Sequence, residues 1–426
     1  MTINQRSLQA WQDRLDTASE RINRAYPGER PDRQPVHTVY GGAHLFRSDT
    51  AAKLGGVARA VLDENAPDAA TMADAVGLVP HDLAEQVYRR VSDKIDREPV
   101  EDFRLDFEDG YGNRPDEEED GHAVSSASEV ARGMADETLP PFVGIRIKPL
   151  TSELAPRSLR TLDLFVTTLV EEAGGLPGGF TVTLPKIQDV DQVMVLDEAL
   201  AELEGKLDLE RIPIELMLET PQMVIERDGT LGAGRYVLAG QTRVRGVHFG
   251  TYDYTASLSI TANHQSMTHP ACDFARHVMQ VSLAGSGIWL SDGATNVMPV
   301  GDQTTVHAAW RLHYSHVRHS LMHALYQGWD LHPAQLLSRY AAVYSFFLEG
   351  LDEAGERLSN FVDQAATATM VGDVFDDAAT GQGLLNYFIR AMNCGAIDEE
   401  EALARTGLER EELQSRSFLR ILEGRR

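Results

Sequence analysis

The stretch FRLDFEDGYG (Phe103–Gly112) sets Asp106, Glu108 and Asp109 beside apolar Phe103, Leu105 and Phe107, and finishes on two glycines. Alternation with a period of two accounts for the apolar half as a strand. It does not account for the acids. Three carboxylates where a buried strand runs out repel one another unless a cation, an arginine or a proton sits among them. Other apolar runs end in the same way. Arg146 and Lys148 stand in FVGIRIKPL, Lys186 in FTVTLPKIQ, Glu219 in IPIELMLET and Asp253 in VRGVHFGTYDY. Asp292 and Asn296 close GIWLSDGATN, and His332 lies in GWDLHP.

A hard divalent cation held by carboxylate oxygens would reconcile these acids. Mg²⁺ suits them, with Mn²⁺ as the alternative ion, because it takes one or two protein carboxylates and keeps positions for a chelating substrate. Glu219 and Asp253 form the expected metal pair, each following a strongly apolar run. Arg146 would grip the carboxylate of a small 2-oxo or hydroxy acid through a bidentate fork. A metal next to that fork polarises a carbonyl and stabilises the enolate formed when a carbon–carbon bond is broken or made. Glu108, Asp109, Lys186 and His264 are the candidate acid/base groups, and Asp292 and His332 are expected to join Arg146 at the substrate.

Each assignment has a structural competitor. Glu219 and Asp253 could be strand-end partners of Arg or Lys, and Arg146 could pair with the Asp106, Glu108 and Asp109 cluster. Lys186 could be a Schiff-base lysine in a metal-free aldolase. Asp106 is read as structural, because alternate strand residues point to opposite faces. His313, His316, His319 and His323 share a helical face, and a packed or interfacial stripe is preferred to a zinc site because no carboxylate falls in that run.

The elements that must position these residues alternate in type. Residues 5–25 read as an amphipathic helix (Leu8, Trp11, Leu15, Ile22), followed by the connector PGERPDRQP. Eight candidate strands follow, at 36–46, 101–110, 142–150, 180–188, 212–220, 244–254, 287–294 and 328–333. Helix-sized segments such as SLRTLDLFVTTLVEEAGG separate most of them, and 51–98 is long enough for two or three helices. The expectation is an α/β fold, a (β/α)₈ TIM barrel, with a doubly wound open sheet as the alternative. The expected domains are an N-terminal helical extension (1–35), the barrel (36–340) and a C-terminal helical region (341–426). In a barrel of this kind catalytic side chains sit at the C-terminal ends of strands, where the charged residues above fall.

Composition narrows the function classes. A net charge of −26 argues against a phosphate-tracking surface, so no nucleic-acid partner is expected. Two cysteines fit a reducing cytoplasm rather than a disulfide scaffold. Neither a signal peptide nor a membrane span is expected, since no stretch approaches 18 apolar residues. GTLGAGRY and GSGIWLS lack the strand-then-turn context that dinucleotide binding requires.

The segments resemble the HpcH/HpaI aldolase/citrate lyase family, nearest its citrate-lyase-β branch. VYGGAHLF is similar to the opening strand, LDFEDG to "DLEDAV", GIRIKP to the strand with the substrate arginine, and LPKIQD to "PKVES". LMLETPQ resembles the strand with the metal-binding glutamate and FGTYDYTASL the one with the metal-binding aspartate. THPACDFAR and LHPAQL resemble the next helix and the closing "IHPxQ". The resemblance implies a TIM barrel, Mg²⁺ on Glu219 and Asp253, and Arg146 on the substrate carboxylate. It further implies Glu108 and Asp109 near the metal through water, and a homo-oligomer, commonly a trimer or hexamer. Tyr252 replaces the acid usual before the metal aspartate, the terminal extensions exceed the usual size, and the coenzyme A contacts find no counterpart. The first expectation is therefore a Mg²⁺-dependent carbon–carbon lyase. A malate-synthase-like condensation with an acyl-CoA and a non-catalytic barrel subunit or scaffold are the alternatives.

Overall fold

In a computed structural model of the chain, the described residues are 3–79, 81–363, 369–371, 374–376 and 378–425. Eight parallel strands close into a barrel in chain order. They are β1 (His37–Gly42), β2 (Asp102–Asp106), β3 (Phe142–Arg146), β4 (Thr181–Leu184), β5 (Ile214–Leu218), β6 (Val244–Phe249), β7 (Trp289–Ala294) and β8 (Gln327–Asp330). The protein is thus a (β/α)₈ TIM barrel with helical extensions, and all eight apolar runs became strands. Each strand is shorter than its run. β4 stops before Pro185, which cannot donate to a ladder, and the run that begins β6 turns at Gly250 into helix Thr251–Ser257. Three helices, Thr50–Asn65, Ala69–Val76 and Ala84–Arg97, fill the long first crossover.

By compactness the chain falls into two units. The first comprises 1–32, 145–163 and 180–291. Here β4, β5 and β6 are locked in register by Val182 opposite Ile214 and Leu218 opposite Phe249. A polar ladder crosses these strands: Thr183 Oγ1 donates to Glu215 Oε2 (3.1 Å), and His248 Nε2 lies 3.2 Å from the same oxygen. Buried Arg243, just before β6, donates to Asp197 and Glu204 of helix Val190–Leu207, tying helix to strand. That helix begins with a capping box between Asp189 and Gln192, which satisfies donors a helix N-terminus otherwise leaves open.

The second unit comprises 33–144, 164–179 and 292–426. β1 pairs with β2 and β8. Thr38 donates to Asp102, whose other oxygen takes Arg104 at 2.6 Å, so the alternating residues Asp102 and Arg104 neutralise each other where both are buried. On the opposite face of β1, His37 Nε2 accepts the Glu101 amide. Nδ1 therefore carries the proton and donates to Asp330 at 2.8 Å. Arg339 Nη2 donates to Asp330 at 2.8 Å and His313 Nε2 lies 3.1 Å from it; Arg339 and the two histidines hold its carboxyl well below the usual range. His313 and His316 of the suspected stripe are thus packed, bonding Ser338 and Thr295. His323 bonds the His319 carbonyl. Beyond β8 the chain is helical over Leu336–Glu349, Leu351–Asp363 and Ala378–Asn393 and in three shorter C-terminal helices. Where helix alone was expected, Thr369–Val371 pairs antiparallel with Val374–Asp376. The helical expectation for 364–368, 372–373 and 377 falls outside the described residues.

The turn after β2 explains one of the acids. Asp106 accepts the amides of Glu108 (3.0 Å) and Gly110 (2.7 Å), so it is a turn-forming group, as alternation implied. A Cβ on Gly110 would stand 2.6 Å from Asp106 Oδ2, and one on Gly42 would stand 2.5 Å from the Gly110 carbonyl. The glycines let the ends of β1 and β2 approach. Gly42→Ala is expected to cost roughly 1–3 kcal/mol, because backbone must move to relieve the overlap. The check is the urea midpoint; an unchanged midpoint would show the approach to be slack.

Candidate active site

In the first unit, the C-terminal ends of neighbouring strands bring four sequence-identified residues together. Arg146 is the last residue of β3 and is 5% exposed. Glu219 directly follows β5 and is 1% exposed. Lys186 lies two residues beyond β4, and Asp253 in the first turn of the helix after β6. Lys186 touches both acids. Its amide donates to Glu219 Oε1 at 2.5 Å, and its Nζ lies 3.2 Å from Asp253 Oδ2. The amide can point there because Lys186 adopts φ +51°, a conformation unusual for a residue with a side chain. The loop is stitched down again by the Thr220 hydroxyl on the Ile187 carbonyl and by the Tyr236 hydroxyl on the Gln188 carbonyl. Arg146 Nη1 lies 3.8 Å from Met217 Sδ.

Burial pushes the Glu219 carboxyl up to about 8. Asp253 pushes in the same direction, whereas Lys186 and Arg146 oppose it. Two carboxyls and two cations therefore act on one another here, and solvent exclusion dominates at Glu219.

Gly250 was missed by sequence reasoning, although GTYD displays it. Its amide donates to the Leu218 carbonyl at 2.9 Å, and a Cβ on it would stand 2.5 Å from Glu219 Oε2. The absent side chain makes the space that this oxygen occupies. A buried carboxylate with one oxygen on an amide and the other in a glycine-made cradle, beside a second carboxylate, is a hard-oxygen donor set of the kind Mg²⁺ or Mn²⁺ takes. The donor atoms present fit such an ion.

The other predicted residues have surroundings of their own. His264 ends a short 3₁₀ turn (Ala262–His264), is exposed, and its ring makes no hydrogen bond among the described residues. His269 caps helix Pro270–Leu283 by accepting the Ala271 amide. In the second unit, Glu108 and Asp109 occupy the turn after β2, half-buried and exposed respectively; Glu108 accepts the Asp109 amide. Asp292 is fully buried in β7, accepting from the Gly293 amide and the Ser320 hydroxyl. His332 accepts the Ala334 amide and begins the turn Pro333–Gln335; burial lowers its pKa. A further group in that unit escaped notice. Tyr111 Oη lies 2.7 Å from His122 Nδ1, and the His44 ring, its pKa lowered chiefly by burial, stands 5.4 Å from Tyr111. The histidine after the paired glycines of VYGGAHLF was the available signal.

A sequence profile described as "Domain of unknown function (DUF6986)" matches residues 15–421. No curated protein matches the sequence. Among solved structures, a citrate lyase from Burkholderia xenovorans superposes with a TM-score of 0.59 at 19% identity, covering 88% of this chain and 97% of that one. The Haloferax volcanii malate synthase in its magnesium/glyoxylate complex gives 0.48 at 14% identity, covering 93% and 98%. An HpcH/HpaI aldolase/citrate lyase family protein from Burkholderia cenocepacia gives 0.39 at 12% identity, covering 80% and 98%. At 19% identity the first similarity speaks to the fold.

The raised Glu219 pKa sets a sign for stability. Between the ordinary glutamate value and about 8 the folded chain holds a proton that the unfolded chain has released, so stability falls as pH rises through that window. In chelator-treated buffer this group contributes a slope of up to about 1.4 kcal/mol per pH unit. Glu219→Gln removes the slope. Denaturant melts of both proteins from mildly acid to mildly alkaline pH measure it; parallel curves would mean that the carboxyl titrates normally.

Proposed function

The chain belongs to the DUF6986 family, and on that premise we propose that its barrel is a divalent-cation-dependent carbon–carbon lyase of the HpcH/HpaI aldolase/citrate lyase kind. The substrate class is a small 2-oxo or hydroxy carboxylic acid. The observation that carries the reading is the convergence on Lys186 of buried Glu219, through the amide, and half-exposed Asp253, through the ammonium. A scaffold protein has no evident use for a carboxyl that burial, with an adjacent acid, pushes up to about 8.

Glu219 and Asp253 would hold the ion, which when bound supplies Lewis-acid polarisation of a carbonyl and neutralises enolate charge. Arg146 presents a fixed positive fork at the same strand ends, suited to a carboxylate and unable to serve as a base. Its burial keeps water from competing for that fork, which strengthens the contact. Lys186 orients Glu219 through its backbone and shields Asp253 through its side chain. Gly250 leaves room for the second Glu219 oxygen. With Lys186 engaged by Asp253, the exposed ring of His264 is the acid/base candidate of this unit.

Thermal melts with Mg²⁺ or Mn²⁺, alone and with a panel of 2-oxo and hydroxy acids, test the reading. Stabilisation should need ion and acid together and approach about 2.7 kcal/mol at a hundredfold excess over Kd. Glu219→Gln and Asp253→Asn should abolish it. In a cleavage assay, Arg146→Gln should lower kcat/KM roughly a hundredfold, the loss of a charged bidentate contact worth about 3 kcal/mol. Turnover only with an acyl-CoA and a 2-oxo acid would move the assignment to condensation. No ion-dependent shift with any acid would end it.

A further inference from the structure

Helix Gln5–Ala25 has no buried residue, yet Leu8, Trp11, Leu15 and Ile22 are 42%, 50%, 60% and 54% exposed. With Ala18 and Ala25 these residues are spaced by three and four in strict alternation, 8, 11, 15, 18, 22, 25. That is the a/d seam of a coiled coil, a stripe narrower than the one a helix lays on a globular core. We propose that this seam pairs with the same helix of a second copy of the chain.

Four observations favour that occupant. The spacing selects another helix with the same repeat, and each copy carries one. A 21-residue helix spans about 31 Å and is marginal in water without a packed face. In a parallel pair the flanking g positions, Ser7, Arg14 and Arg21, face the uncharged e positions Gln12, Ser19 and Tyr26 of the other copy, so no like charges meet beside the seam. Finally, the helix carries Arg6, Arg14, Arg21 and Arg24 against Asp13, Asp16 and Glu20, a net charge of +1, on a chain whose net charge is −26. Two copies that meet through this segment keep the acidic excess of the chain out of the contact. A membrane surface is the poorer fit, because three acids share the polar side and two of the six seam positions are alanine.

The pairing is independent of the proposed reaction. Sedimentation of the full chain over a concentration series up to about 100 μM reads it directly. Wild type is expected to weigh an integral multiple of the Leu15→Glu variant, whose melting temperature stays unchanged because Leu15 touches no core. Asp13→Ala, on the opposite face, keeps the wild-type mass, and deletion of residues 1–26 reproduces the Leu15→Glu mass. A single-copy wild type at every concentration, or a Leu15→Glu variant of wild-type mass, would overturn the proposal. So would a single-copy wild type that sediments with anionic phospholipid vesicles, which would assign the face to lipid.

Discussion

The barrel is organised around one costly act, the removal of the Glu219 carboxyl from water. Its position is over-determined. The β5–β6 register sets its height, the Lys186 amide fixes one oxygen, and Gly250 vacates the volume of the other. Each device would be unnecessary for a strand-end acid in solvent. Glutamate is seldom fully buried unless paired, and here the opposing cations do not outweigh desolvation. A fold that pins a carboxyl where it prefers a proton stores free energy that a ligand of opposite charge can release.

The support beneath this site is polar as well. Thr183, Glu215 and His248 form a ladder across β4, β5 and β6 at positions where branched apolar residues usually fill a barrel. In the second unit, Thr38, Asp102 and Arg104 do the same across β1 and β2. Such ladders need not add stability over a packed apolar layer. They do penalise a slip in register, because a shift of one residue would leave a buried charge without its partner. The distances between strand ends, on which any chemistry at the C-terminal face depends, inherit that stringency.

Much of this was legible in the sequence, for identifiable reasons. Barrel strands are buried on both faces, so their runs stand out as Val, Ile and Leu, and the charges that end them mark the C-terminal rim. That logic located Arg146, Lys186, Glu219 and Asp253 together. It failed where meaning lies in backbone geometry. Nothing in PKIQ announces that Lys186 turns left-handed to aim its amide, and Gly250 reads as punctuation until the carboxylate beside it is seen. Asp106 was separable from Glu108 and Asp109 only by alternation. The polar bonds of Asp292 to Ser320 and of His313 to Ser338 join residues 28 and 25 positions apart, a pairing no local pattern encodes.

The two acids of the site differ in a way that suits an ion with strict geometric demands. Glu219 is 1% exposed and held by the fold, whereas the Asp253 side chain is 43% exposed and sits on a seven-residue helix. Mg²⁺ requires near-octahedral coordination and gives up water reluctantly. Two rigid carboxylates would have to be built to that geometry within tenths of an ångström. One fixed and one solvent-facing carboxylate would relax the requirement, because the exposed acid can adjust by rotamer while the buried one is held. Lys186 ties the two together, with its side chain on Asp253 and its amide on Glu219. The same residue thus sets positive charge against the adjustable acid while its backbone holds the fixed one, which couples the two carboxyls of the strand ends.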